Sequence, residues 1–401
     1  MTPVFCCGFE CGQKGAVGQH WSAGNNAAFD TTTFNNGLRS MRLNPTAANG
    51  FTASNVALSG TVGVLRAYVK VVSNPLLSSL VLGISDDVVS ADGGLAFNLT
   101  DGKYYAGFDD GVTMTLGATG VTLSAGFHAV DILVNVVANP WTCDVKVDGV
   151  ALGQATVAKA AANVLAVDLG NRYRAVETFD IYFDDVVTSI TSADYPIGAG
   201  KVLSFVPSAD GTHTSTGSNI TEGTAATPVG ASITVATTDA FNWVNARPIL
   251  GGATDNTRLI NQRLAASTEY AEVAFEDTTE ANGPRAVEIL VADQQAATQV
   301  GVMAIKLNDN GTEDTILSRT GAGVVTDRFT TKQYATMVGG GAWTVARFNG
   351  LRLRFGYSSD ATPDQYWRGG ITEAEFAVVA VAIFPPILPD AKGRYDPHVG
   401  Y

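Results

Sequence analysis

Apolar and polar side chains alternate along this chain in short runs, each closed by Gly, Asn, Asp or Ser. The segments Phe179–Val187 (FDIYFDDVV) and Gly350–Tyr357 (GLRLRFGY) carry the pattern plainly. Alternation with a period of two puts every second side chain on one face, so each run predicts a strand that buries half of itself against another layer. In the first half the predicted strands are Val4–Phe9, Leu38–Leu43, Val64–Val72, Ser79–Ile84, Gly94–Asn98, Tyr104–Phe108, Val112–Leu116, Phe127–Val137, Thr142–Val147, Leu165–Asp168 and Phe179–Val187. Turn signals at Asp92-Gly93-Gly94, Asp101-Gly102, Asp110-Gly111 and Asp148-Gly149 place a residue tolerant of positive φ before Gly, as tight hairpins require. This set describes a jelly-roll sandwich over residues 1–191.

From Ser192 to Pro228 the alternation weakens into a small, polar stretch that reads as a linker with one short strand at Val202–Val206. Strands return at Ser232–Ala236, Glu269–Glu276, Arg285–Ala292, Gly301–Leu307, Thr315–Ser318, Leu351–Tyr357 and Thr372–Phe384, with a short helix at Thr344–Asn349. A second β-sandwich is expected over 229–384. The segment 385–401 is rich in proline, which cannot donate to a ladder, and predicts an extended C-terminal arm whose assembly contacts are Pro385, Pro386, Pro389, Tyr395 and Tyr401. The expected fold class is all-β: two antiparallel jelly-roll sandwiches and an arm. A chain of 401 residues exceeds what one core usually serves, which also favours two units.

Composition narrows the partners. Acidic residues number 38 against 25 basic, a net charge of −13, which repels a phosphate backbone and lacks the basic stripe of nucleic-acid binders. No apolar run is long enough to insert in a membrane, and no basic n-region with an apolar h-region predicts a signal peptide. Charged residues make up only 16% of the chain, below the ordinary share, so Ser, Thr, Asn and Gly or contacts with other chains cover much of the surface.

Candidate chemistry is sparse. Cys6, Cys7 and Cys11 cluster near His20, yet the spacing does not match zinc knuckles and neighbouring residues of a strand point to opposite faces. With Cys143 they read as free buried thiols or as partners in a disulfide. Acid pairs recur at Asp86-Asp87, Asp109-Asp110 and Asp184-Asp185; carboxylates at strand ends suit calcium, but adjacent strand residues diverge, so turn-forming and solubilising roles are the expectation. The same divergence weighs against a glycosidase pair. There is no G-x-S-x-G elbow, His213 sits in a Thr/Ser-rich loop, and Gly339-Gly340-Gly341 lacks the lysine of a phosphate cradle. No catalytic, cofactor or metal residue is assigned. Rings that could stack on sugars are Trp21, Trp141, Tyr173, Trp243, Tyr366 and Trp367, of which Trp243, Tyr366 and Trp367 are the candidates to face a glycan, although core or interface packing is the expected role of each.

The opening Val4–Glu10 (VFCCGFE) with the strand Gly37–Leu43 (GLRSMRL) resembles the start of concanavalin A-like (LamG-like) jelly rolls in virion proteins of tailed bacteriophages. Phe179–Val187 is similar to their aspartate-rich last strand, Lys201–Gly211 to the strand that follows it, and Gly341–Gly356 to a segment before a closing strand. The resemblance implies a non-enzymatic structural part of a virion, such as a neck or collar protein, capsid decoration or tail fibre. Homo-oligomeric contacts, other virion proteins and an extracellular particle assembled in the host cytoplasm come with it. The alternatives are an adhesin that binds host surface polysaccharide, and a glycan-cleaving enzyme. Cys6 and Cys7 depart from the residues usual before the Gly-Phe step.

Overall fold

The computed structural model describes residues 3–9, 21–22, 24, 26–46, 50–54, 57–86, 91–170, 172–173, 178–214, 220–223, 258–261, 269–295, 303–319, 328–356 and 365–378. Within them the chain is all-β, apart from the helix Val345–Asn349 and a 3-10 turn at Ser192–Asp194. The strands form four antiparallel sheets. Sheet I has six strands, in the order Phe51–Ala53, Val164–Gly170, Ser79–Asp86, Asp92–Asn98, Lys103–Asp109 and Met114–Leu116. Sheet II has nine, with Trp141–Val147, Phe127–Asn135, Val62–Ser73, Asp180–Ser189 and Ser40–Leu43 as its spine and Pro3–Cys7 paired to Asp180–Ser189. Sheet III is built on Gln365–Ala377, with Ala286–Gln295 along one edge and both Arg258–Asn261 and Gly200–Phe205 along the other. Sheet IV runs Pro207–Asp210, Tyr270–Phe275, Leu351–Gly356, Met303–Asp309 and Thr312–Arg319.

The pleat decides how these sheets stack. Leu65, Ala67 and Val69 of Val62–Ser73 meet Leu95, Phe97, Phe108, Val167 and Leu169 of sheet I in one apolar core, which makes the first sandwich. Val287, Ile289 and Val291 meet Val273, Phe275, Leu307, Leu353 and Phe355 in a second. A third buried layer joins the outer face of sheet II to sheet III through Cys6, Val64, Val187, Val202 and Ala286. The layers therefore follow the order I, II, III, IV.

Two sequence signals acquire a physical meaning here. A Cβ on Gly8 would lie 3.0 Å from the Val202 carbonyl, so the Gly of the Gly-Phe step lets the first strand pass close to Gly200–Phe205. Phe9 then turns back at φ 63° and stacks on Trp21 with ring centroids 5.4 Å apart. Asp148-Gly149 and Asn310-Gly311 are tight turns with both residues at positive φ. Asp92-Gly93-Gly94, expected as a turn, instead opens the strand Asp92–Asn98, where a Cβ on Gly94 would lie 2.1 Å from the Leu82 carbonyl. The stretch 192–228, read as a linker with a single strand, holds Gly200–Phe205, Pro207–Asp210 and Ile220–Gly223, which join sheets III, IV and III. Their local pattern is weak because their order comes from pairing with partners far along the chain, such as Val202 with Glu375.

Candidate functional site

Two places gather chemistry between the sandwiches. The first is the buried seam between sheets II and III. Arg66, fully buried, donates through both terminal nitrogens to the Glu375 carboxylate at 2.8 and 3.0 Å, and also to the carbonyls of Asp185 and Gly198. Arg285 donates to the same carboxylate and to the Ile197 carbonyl. A bidentate guanidinium pair of this kind is geometrically exacting, and a Cβ on Gly200 would sit 2.2 Å from both Arg66 and Glu375. Further bonds cross the seam: the Val202 N–H donates to Asp185, Gly198 to Asp131 and Gly8 to Glu373, at 2.7, 3.0 and 3.2 Å. Asp185 thus caps an outward donor of the edge strand Gly200–Phe205 and Asp131 one just before it, while the Gly8 bond to Glu373 ties the end of the first strand to Gln365–Ala377.

The acid pair Asp184-Asp185 is part of this seam rather than a solubilising surface pair. A bulge in the ladder with Val62–Ser73 and a φ of 50° at Asp185 bring both carboxylates to one loop. Asp184 accepts from the N–H groups of Asn35 and Asn36, and Asp185 accepts from both of their side-chain amides. Burial raises both carboxyls above the usual range. Asp109-Asp110 does cap its turn, accepting from Gly111, Val112 and Thr113.

The second place is an open groove of about 420 Å³ where the sandwiches meet, lined by Gly37, Leu38, Leu203, Ser204, Phe205, Glu276 and Asp277. Its floor is apolar. Phe205 is held edge-on against Phe348, centroids 4.8 Å apart, and Leu38 stands 52% exposed on the wall. Glu276 caps the Val206 N–H at 3.2 Å, and Asp277 is exposed beside it. No sequence signal singled these residues out, since they come together from three distant segments.

The sequence candidates fall elsewhere. Trp367, a candidate to face a glycan, takes the core role: it is fully buried and stacked on Phe355 at 5.6 Å, because its strand lies inside sheet III with that ring turned into the second core. Trp243 and the side chain of Tyr366 lie outside the described residues. Trp21 and Trp141 are buried, the latter donating to the Ala160 carbonyl at 2.8 Å, and Tyr173 donates to Asp92 at 3.1 Å. Cys6, Cys7 and Cys143 are buried thiols outside any disulfide, while Cys11 and the arm residues Pro385, Pro386, Pro389, Tyr395 and Tyr401 lie outside the described residues. Cys7 faces the first core and accepts from the Trp21 ring N–H at 3.4 Å; Cys6 faces the seam, where burial and then the charges of Glu288, Glu373 and Glu375 push its thiol pKa up. His213 is buried rather than loose: its Nδ1 accepts from the Glu272 N–H at 3.0 Å and its Nε2 lies 3.4 Å from Asp210. Among the described residues no group of three or more His, Cys, Asp and Glu side chains could hold a metal ion.

No protein-family model matches the chain, and no curated protein does. Solved structures overlap it loosely. They include Trypanosoma rangeli sialidase, at 14% identity and a TM-score of 0.28 over 41% of this chain, which spans only 27% of the sialidase. The T. cruzi calreticulin globular domain gives 9% identity and 0.32 over 48% of this chain and 90% of its own. A tandem of two CBM22 domains from Paenibacillus barcinonensis gives 11% identity and 0.24 over 93% of this chain and 97% of its own. At such scores none of these likenesses assigns an activity or a ligand, and what stands is the all-β, antiparallel sandwich architecture of the chain itself.

Proposed function

We propose that this chain is a non-enzymatic carbohydrate-binding protein that takes a neutral, hydroxyl-rich polysaccharide in the groove beside Gly200–Phe205. The groove is the observation that carries the reading. Small-ligand sites favour the junctions between units, measure about 300 to 1,000 Å³ and combine an apolar lining with a few polar groups, all of which this groove offers. Leu38, Leu203 and Phe205 suit the C–H faces of a sugar, and Ser204 and Asp277 suit its hydroxyls. The lining contains two acids and no base, and the whole chain carries −13, so a polyanion is the wrong partner. Hydrolysis is not part of the proposal. Glu276 and Asp277 are neighbours on one loop, and Glu276 is engaged with the backbone, whereas glycoside cleavage wants two carboxyls on opposite sides of the bond.

A glycan array followed by calorimetry on the full chain tests this. We expect saturable binding to a neutral polysaccharide that Asp277→Ala and Leu38→Ala each weaken by about tenfold, a loss of about 1.4 kcal/mol. Binding that neither change affects, or no binding to any neutral glycan, refutes the reading.

A second reading is a structural component of a tailed-phage virion, held in an extracellular particle by contacts with its own copies and other virion proteins. The locked seam favours it, since a part that transmits force gains from two sandwiches that cannot swivel. Repeating copies in an imaged particle, with no glycan affinity, would select it over the first.

A further inference from the structure

We propose that the groove is one half of a longer cleft: a second hollow, farther along the same strand, takes the next sugars of a linear neutral glycan, with Lys201, Glu280 and Asn282 reading their hydroxyls. The inference rests on the groove reading above and adds to it a dependence on chain length and a second set of specificity residues.

The strand gives the cleft its direction. Along Gly200–Phe205 alternate side chains share a face, so Lys201, Leu203 and Phe205 stand in one row while Val202 turns into the seam. Leu203 and Phe205 line the groove already described. Lys201, about 13 Å from Phe205 at the usual rise of about 3.3 Å per residue, lines a second hollow of about 270 Å³ with Glu280, Ala281, Asn282, Phe376 and Val378.

The opposite wall runs alongside. The segment that follows Tyr270–Phe275 gives Glu276 and Asp277 to the first hollow and Glu280, Ala281 and Asn282 to the second. It is tied to the strand at both places. The Glu276 N–H donates to the Val206 carbonyl at 2.9 Å and its carboxylate accepts from the Val206 N–H at 3.2 Å, while Lys201 Nζ meets Glu280 Oε1 at 2.8 Å. Strand and segment are therefore antiparallel walls of one trough. The floor is shared too, since the Phe205 ring of the first hollow lies 6.2 Å from the Phe376 ring of the second.

This wall is seated before any sugar arrives. The Thr278 N–H donates to the Asn349 side chain at 2.9 Å, and a Cβ on Gly283 would lie 2.1 Å from the Trp343 carbonyl, so the segment rests on the short helix and the turn before it. A wall already ordered lowers the entropy lost on binding. At about 270 Å³ the second hollow falls short of the roughly 300 to 1,000 Å³ of independent small-ligand sites, which suits an extension of the first. Its chemistry is also complementary to a neutral sugar. Lys201 and Glu280, with side chains 26% and 24% exposed, cancel each other's charge, yet an ammonium has three donors and a carboxylate two acceptor oxygens, more than their mutual contact uses. Exposed Asn282 adds an amide beside them.

Calorimetry on the full chain tests the cleft, using a ladder from disaccharide to hexasaccharide cut from the neutral polysaccharide that the array selects. The hexasaccharide should bind about tenfold tighter than the disaccharide. Lys201→Met and Asn282→Ala should each remove most of that gain and leave the disaccharide as in the wild type, whereas Leu38→Ala should weaken both lengths alike. If one of the two variants fails to fold, the other decides. Equal affinity at every length, a gain that survives either substitution, or a loss that strikes both lengths equally overturns the cleft and leaves the groove reading standing. An array on which no neutral glycan binds removes the groove reading, and the cleft with it.

Discussion

Strand Val62–Ser73 is buried on both faces over its middle, and the two burials are made of different material. Leu65, Ala67 and Val69 enter the apolar core of the first sandwich, while Val64, Arg66 and Tyr68 face the seam, where Arg66 meets Glu375. Apolar contact is non-directional and each fully buried large side chain contributes about 1.5–3 kcal/mol, so the core supplies most of the stability without fixing how the sandwiches sit. The seam reverses those roles. Its charges lose hydration when buried and find compensating partners only in one geometry, so it adds little net stability and much orientation. A protein can thus carry two contiguous buried layers with separate jobs on opposite faces of a single strand.

Arg66→Met breaks the comparison hardest. The substitution strands the fully buried Glu375 carboxylate with only Arg285 beside it, and we expect a loss of about 3–5 kcal/mol in denaturant unfolding. Adding Glu375→Gln should recover a large part of that loss, because the stranded charge, rather than the absent bridge, carries the cost. Equal losses in the single and double variants would mean that the bridge itself holds the sandwiches together.

The same strand explains what was legible in the sequence. Period-two alternation located most strands and the all-β class, because every strand turns one face into a core whichever neighbour covers the other. The same alternation leaves the second face to water by default, and Arg66, inside the predicted strand Val64–Val72, lies on that face. Nothing local announces that Glu375, 309 positions away, will cover it. Asp184-Asp185 failed for a related reason: divergence holds for a regular strand, and a bulge cancels it. The groove was invisible because Leu38, Phe205 and Asp277 have no shared motif, only shared space. Trp367 stayed open between a sugar-facing and a core role because an aromatic beside polar neighbours looks the same in sequence whether its ring faces water or a core.

Asp92 and Asp168 sharpen the comparison from outside the seam. Both carboxyls are buried on the outer face of sheet I and face each other, with the Arg172 guanidinium 3.6 Å from Asp168, and a shared proton relieves the repulsion that remains. Burial lifts Asp168 to about 6 and raises Asp92 as well, with the Asp168 charge adding to the rise. Both folded values lie above the unfolded ones, so this pair supports the first sandwich fully below about pH 4 and loses that support as pH rises through the raised values, about 6 for Asp168. Asp168→Asn supplies the shared hydrogen permanently. Thermal unfolding should show a gain of about 1–3 kcal/mol near neutral pH and a flatter dependence on pH, while exchange at the Gly8, Gly198 and Val202 amides, which donate across the seam, stays as in the wild type. Faster or slower exchange there would mean that the outer face of sheet I and the seam act as one.

The smallest change is the cleanest control. Thr344 caps the helix Val345–Asn349, accepting from the Arg347 N–H at 3.2 Å, and the helix sets Phe348 against Phe205 and Phe376 in the second core. Removing an N-cap hydroxyl costs about 1 kcal/mol, so Thr344→Ala should lower unfolding stability by that amount. The cap touches the core of the second sandwich and none of the carboxyls of the seam. Exchange at Gly8, Gly198 and Val202 should therefore keep its wild-type rate, although the chain as a whole is weaker. Faster exchange there would show that core stability governs closure of the seam, and the distinction between the two buried layers would fall.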